Sequence, residues 1–174
     1  MDMLSAVLHR RSVRRYTDEA IPREKLQAIL QAGLAAASSK NRRPWEFVVV
    51  QDRAMLDALS SCRPGAGNLL GGCTAAIVVC ADADLVDVWV EDCASAITQM
   101  HLMADALGVG SCWLQIRLRK SEEGRDSADV VRDLLGIPEK YGVMAMLTLG
   151  MPADHPGPKD VSALPMEKLH LERF

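Results

Sequence analysis

The chain has 174 residues, 49% hydrophobic and 25% charged, which suits one compact domain with a sizeable core. Its net charge of −3 leaves no basic excess to drive binding to nucleic acid or anionic lipid, so neither partner is expected. No apolar run approaches the ~20 residues that span a bilayer, and the N-terminus lacks a signal-peptide pattern, so no membrane partner is expected and the cytoplasm is the expected location.

In chain order, Leu4, Val7 and Leu8 predict a short amphipathic helix, followed by an arginine-rich turn. Pro22 opens a second helix, in which Leu26, Ile29, Leu30, Leu34 and Ala37 follow the 3.6 period. A polar loop at 38–44 leads into a strand, Trp45 to Val50, and a short helix from about Arg53 to Ser61. After a loop at 63–68, Thr74 to Cys80 reads as a strand apolar enough to be covered on both faces.

The longest helix is predicted from about Val86 to Leu107. Between Ala94 and Leu107 it is apolar almost all round, so it should be buried in the core or between subunits. Gly108 and Gly110 stop it. A strand from Ser111 to Ile116, a helix from Ser127 to Leu135 and a strand from Val143 to Leu149 follow. The remainder, 151–174, holds four of the eight prolines and cannot build a core of its own, so it should lie on a neighbouring surface. The expected architecture is a single α+β domain over 1–174, with helices about a mixed or antiparallel sheet.

The five cysteines form no CxxC pair and sit mostly in apolar stretches, which points to buried free thiols and a reducing compartment. The four histidines look too scattered for metal ligands, and no residue shows a nucleophile signature, so no metal and no catalytic side chain are expected. His101 reads as a satisfied core histidine.

Three segments could carry chemistry. Arg10, Arg11, Ser12, Arg14 and Arg15 set guanidinium forks beside a hydroxyl, a donor set suited to phosphate and equally to a solvated basic face. Ser38, Ser39, Asn41 and Arg43 lie in a loop dense in donors and acceptors, able to meet the edge of a heterocycle or simply to be a polar loop anchored by Trp45. Gly108 and Gly110 can permit close approach of a flat ligand or act as a helix cap, and Arg117 and Arg119 share one strand face beyond them.

Taken together and in this order, these segments resemble the nitroreductase family of flavoproteins, over nearly the whole chain from Leu4 to Phe174. The family's Arg-Arg-Ser-x-Arg is matched by Arg10, Arg11, Ser12 and Arg14. Its Pro-Ser-Ala-x-Asn-x-Gln-Pro-Trp is matched at Ser38, Asn41, Pro44 and Trp45, with Ala37 replacing the proline and Arg43 the glutamine. Ala106 to Trp113, Leu134 to Pro138 and Leu149 to Pro152 match three more motifs. Met151 stands where an aromatic is common. The basic pair near the C-terminus is reduced to Lys159, while Gln115, Arg117 and Arg119 follow the pattern of short members.

The resemblance implies an intertwined homodimer with a long buried central helix and two FMN molecules, each bound between subunits. The C-terminal tail would extend onto the partner. It implies cofactor contacts from Arg10, Arg11, Ser12, Arg14, Ser38, Ser39, Asn41, Arg43, Gly110, Gln115, Arg117 and Lys159, with Arg117 taking part of the phosphate work. It further implies an oxidoreductase that takes hydride from NAD(P)H and reduces an organic acceptor such as a nitroaromatic, quinone or activated alkene. A flavin-storing or flavin-sensing protein without turnover is the alternative.

Overall fold

A computed structural model describes residues 2–174. Its centre is a four-stranded sheet in the order β1-β2-β4-β3, formed by β1 (Trp45–Val50), β2 (Ala75–Asp82), β3 (Gly110–Gln115) and β4 (Tyr141–Gly150). Every pairing is antiparallel, which settles the mixed-or-antiparallel expectation.

The apolar run of β2 is covered on both faces because the strand's period of two sends alternate side chains to two cores. Ile77, Val79 and Ala81 pack with α2 (Arg23–Leu34) and α5 (Trp89–Ala106), beside Ile29, Ile97 and Met100. Ala76, Val78 and Cys80 pack on the opposite face with α3 (Arg53–Leu59), α4 (Gly67–Leu70) and α6 (Ser127–Leu135), beside Leu56, Leu59, Leu70 and Val131. Each fully buried Leu or Ile contributes roughly 1.5–3 kcal/mol of apolar burial. All five cysteines are buried and unpaired, as the sequence predicts.

Three boundaries differ from the sequence reading. The second helix ends at Leu34, which is 58% exposed, so Leu34 and Ala37 leave the core and Gly33 and Ala36 take their place. The cause is the crossing of α2 over α5: an added Cβ at Gly33 would lie 2.8 Å from Met100 Sδ. The longest helix begins at Trp89, because Leu85 N–H turns back to the Asp82 carbonyl and holds the preceding residues in a turn. The loop at 63–68 runs into a further short helix, α4.

β3 lies at one edge of the sheet, and the arginine-rich segment after α1 (Met3–His9) closes that edge: Val13 N–H donates to the Ser111 carbonyl at 2.9 Å. The chain beyond β4 returns over the same segment, with Thr17 N–H bonded to the Met151 carbonyl, Ala153 N–H to Arg15 and Lys159 N–H to Leu8. Beyond residue 160 the tail forms only two 3-10 turns and exposes Met166, Leu169, Leu171 and Phe174. Among the described residues no helix is long and apolar enough to cross a membrane.

Candidate functional site

The arginine segment is seated by two glycines. Gly110 and Gly150 are directly paired across β3 and β4. A Cβ on Gly110 would lie 2.8 Å from Val13 Cγ1, and one on Gly150 would lie 2.7 Å from the Tyr16 ring. The glycine expected to admit a flat ligand therefore admits Val13 instead, and Gly108, at φ +71°, is the helix stop. Tyr16 locks the seat, its hydroxyl 2.8 Å from both the Val13 carbonyl and Thr148 Oγ1, and burial pushes its pKa above the usual range.

With the backbone pinned there, Arg10, Ser12 and Arg14 gather over Cys112. Burial raises the Cys112 thiol pKa, and the Arg14 charge, Ser12 and the Arg10 charge pull it the other way. Arg10 Nη1 donates to His101 Nε2 at 2.8 Å. Arg14 has one long bond, to the Ser12 carbonyl at 3.4 Å, and Arg11 reaches the carbonyls of Pro156 and Gly157. Among the described residues none of these three arginines pairs with a carboxylate, whereas the adjacent Arg15 pairs with Asp154. Lys159 is tied by its backbone to Leu8 at the same end.

The second polar group lies at the other end of α5. Ser39 N–H donates to Asp92 Oδ1 at 2.8 Å, Arg43 N–H donates to Ser38 Oγ at 2.9 Å, and Arg43 Nε donates to Asn41 Oδ1 at 3.0 Å. Lys40, Asn41 and Arg43 all have left-handed φ values, of 50°, 54° and 49°, a local strain of the kind that gathers at functional sites. Asp92 is buried, and its Oδ2 has no partner among the described residues. Also at this end, the Arg117 guanidinium sits 5.9 Å from the centre of the Trp89 ring. Gln115 is engaged within the chain, accepting from Trp113 Nε1 at 2.9 Å and donating to the Arg117 carbonyl at 3.0 Å.

Within one chain these two groups are anchored at separate points of α5. Arg10 is held at His101 and the 38–43 loop at Asp92, nine residues away on α5, which is about 14 Å along the axis and half a turn around it. Arg117 belongs to the Asp92 end, so the structure does not bring it beside Arg10, Ser12 and Arg14 of its own chain. A cavity of about 530 Å3 beside α6 is lined by Ser60, Arg63, Glu122, Arg125 and Asp133 and contains none of the predicted residues. Arg125 there is already paired with Asp133.

The Nitroreductase family model matches residues 7–64 and 63–151. The chain belongs to the nitroreductase family. A curated relative from Archaeoglobus fulgidus, provisionally named NADH dehydrogenase/NAD(P)H nitroreductase, is 40% identical over 88% of this chain and 87% of its own length. A relative of the same name from Methanothermobacter thermautotrophicus is 34% identical over 100% of this chain and 88% of its own. An FMN-dependent nitroreductase structure from Clostridium difficile superposes with a TM-score of 0.95 at 39% identity, covering 99% of this chain and 100% of that one.

For a member of the nitroreductase family, the chain carries two features that sequence reasoning missed. The histidines are not scattered: His9 and His155 stack 4.4 Å apart and both bond Asp105, at 2.6 and 2.9 Å. Their ligand atoms are close enough to hold a metal ion. However, Gly157 N–H donates to His155 Nδ1, so Nε2 bears the proton that Asp105 accepts, and the cluster is built as a hydrogen-bonded clamp on the tail. Burial alone would raise the Asp105 pKa, but the bonds from His9 and His155 outweigh it and bring it below the usual range. The second missed feature is the placement of buried His101 against Arg10. Nothing in helical periodicity marks either cluster, because each joins residues more than 90 positions apart.

Proposed function

We propose that this protein is an FMN-dependent oxidoreductase that works as a homodimer, taking hydride from NAD(P)H and reducing a small organic acceptor such as a nitroaromatic, a quinone or an activated alkene. The observation that carries this reading is the set of three arginines, Arg10, Arg11 and Arg14, left without carboxylate partners on the β3 edge. Positive charge of that density needs an anion, and a phosphate monoester suits guanidinium forks beside the Ser12 hydroxyl. The donor set therefore fits the FMN of the relatives' chemistry.

FMN supplies the hydride and electron transfer, so no side chain has to serve as nucleophile. Arg10, Ser12 and Arg14 hold the phosphate, with Arg11 and Lys159 adding charge at the same end. Ser38, Ser39, Asn41 and Arg43 come from the other copy and meet the ribityl chain and ring edge. Asn41 keeps its amide N–H2 free for that contact because Arg43 bonds its oxygen. Arg43 would bring a cation to the ring edge, where its positive charge would favour electron uptake by the bound flavin. Gly110 acts indirectly, by seating the arginine segment. Arg117 and Gln115 belong with the 38–43 group and serve the ring side of the site rather than the phosphate.

The separation of the two polar groups on α5 supports the dimer. So do the apolar residues left open in one chain: Met3, Leu4 and Val7 on α1, Leu34 on α2 and the tail from Val161 to Phe174. We place all of 1–174 in one domain and only the tail beyond residue 160 on the partner, because residues 151–159, expected there as well, are bonded to the arginine segment, α1 and α5 of their own chain. The buried free thiols suit the cytoplasm.

Purified protein should be yellow, and its flavin absorbance should bleach on anaerobic addition of NADH or NADPH and recover with a nitroaromatic or quinone. A yellow protein bleached by neither nicotinamide would overturn the enzyme reading in favour of flavin storage or sensing, and a colourless one that takes up no FMN would overturn both.

A further inference from the structure

We propose that His101 is a positioning residue for the phosphate cradle: as a neutral imidazole it holds the Arg10 guanidinium by one N–H and so aims the remaining donors at the phosphate of FMN. This rests on the phosphate reading of Arg10 above.

The geometry assigns the protons without ambiguity at its first step. A guanidinium N–H can only donate, so His101 Nε2, at 2.8 Å, must accept. The ring proton is then on Nδ1, which donates to Ser111 Oγ at 2.5 Å. The relay runs from the arginine segment through α5 to the start of β3 and is buried at both of its inner members, His101 and Ser111. Burial, and then the nearby Arg10 charge, hold the His101 pKa down to about 4. The ring therefore stays neutral at physiological pH and neither repels nor neutralises Arg10. An acidic residue here would also hold Arg10, but it would cancel the charge that the phosphate needs. Asp105 stands one helical turn on, and His9 and His155 occupy both of its oxygens.

The test measures the affinity of the apo homodimer for FMN and for riboflavin, which lacks the phosphate, by flavin fluorescence. His101→Leu should weaken FMN about tenfold, the effect of losing one bond to a charged group, and leave riboflavin unchanged. His101→Gln, which can accept from Arg10 and donate to Ser111, should restore FMN binding to within about twofold of the parent. In an Arg10→Ala background, His101→Leu should add no further loss, because the two act as one unit. Equal weakening of FMN and riboflavin, or full additivity with Arg10→Ala, overturns the positioning role. If Arg10→Ala itself leaves the FMN-to-riboflavin ratio unchanged, the phosphate reading fails instead. Should His101→Leu not fold, Ser111→Ala carries the same comparison. It leaves the imidazole in place but frees its Nδ1–H, and a smaller FMN-selective loss supports the relay, while an unchanged ratio overturns it.

Discussion

His101 and Asp105 sit one helical turn apart on α5, and both make the fold sensitive to acid, in different windows. The folded protein keeps His101 neutral with a pKa of about 4, against an ordinary 6.5, so the unfolded chain binds the extra proton first. Its contribution to stability is complete above about pH 6.5 and is lost as the pH falls toward 4, an effect of about 3 kcal/mol. The lowered Asp105 pKa acts later: its contribution is present above the ordinary 3.8 and disappears as the pH falls through the folded value. Urea midpoints should therefore begin to decline below about pH 6.5, ahead of the carboxylate range near pH 4, and His101→Gln should flatten that early decline. An equally steep decline in the variant would remove His101 from the account. At this scale the residue types were legible in the sequence, and the arginines and Asn41 stand out by chemistry alone. Their partners were not, because the contacts of Arg10 with His101 and of Ser39 with Asp92 close across 91 and 53 positions.

The elements that matter most to the site are the paired strand ends at Gly110 and Gly150. Both glycines are spent on the arginine segment rather than on a ligand, since the Val13 and Tyr16 side chains occupy the space a Cβ would need. Gly110→Val should push Val13 off the β3 edge and move Ser12 and Arg14 with it. The expected loss is about 2 kcal/mol of stability, read as a lower urea midpoint at unchanged slope, with weaker FMN retention on gel filtration. Retention of both would mean that the segment does not depend on this seat. All the helices and strands of the sequence reading are present, because periods of 2 and 3.6 survive in the pattern of apolar residues. The errors fall where tertiary contact overrides period. Leu34 continues the helical stripe yet is exposed, since α2 needs Gly33 rather than a large side chain where it crosses α5.

At the scale of the whole molecule, the proposed site takes its two polar groups, set on opposite sides of α5, from two chains. This leads to a complementation test. Arg10→Ala/Arg14→Ala chains and Asn41→Ala/Arg43→Ala chains should each bind FMN poorly as homodimers. Unfolded together and refolded, half of the dimers should be mixed, and each mixed dimer has one of two sites built wholly from parent residues, so about a quarter of parent binding should return. A site formed within one chain would recover none. The exposed apolar residues of α1, Leu34 and the tail are the surface we propose for the contact between copies.

The sequence by itself determined the family, the α+β class, the burial of β2 and the residue types of the site. These are local properties, carried by short motifs and by periodic apolar residues. Only the tertiary structure decided that the sheet is wholly antiparallel, that Gly110 serves Val13, that Arg117 lies over Trp89, and that His101 and Asp105 hold the arginine segment and the tail. Each of these depends on which distant segments pack together. Periodicity shows that a face is buried and leaves open what covers it.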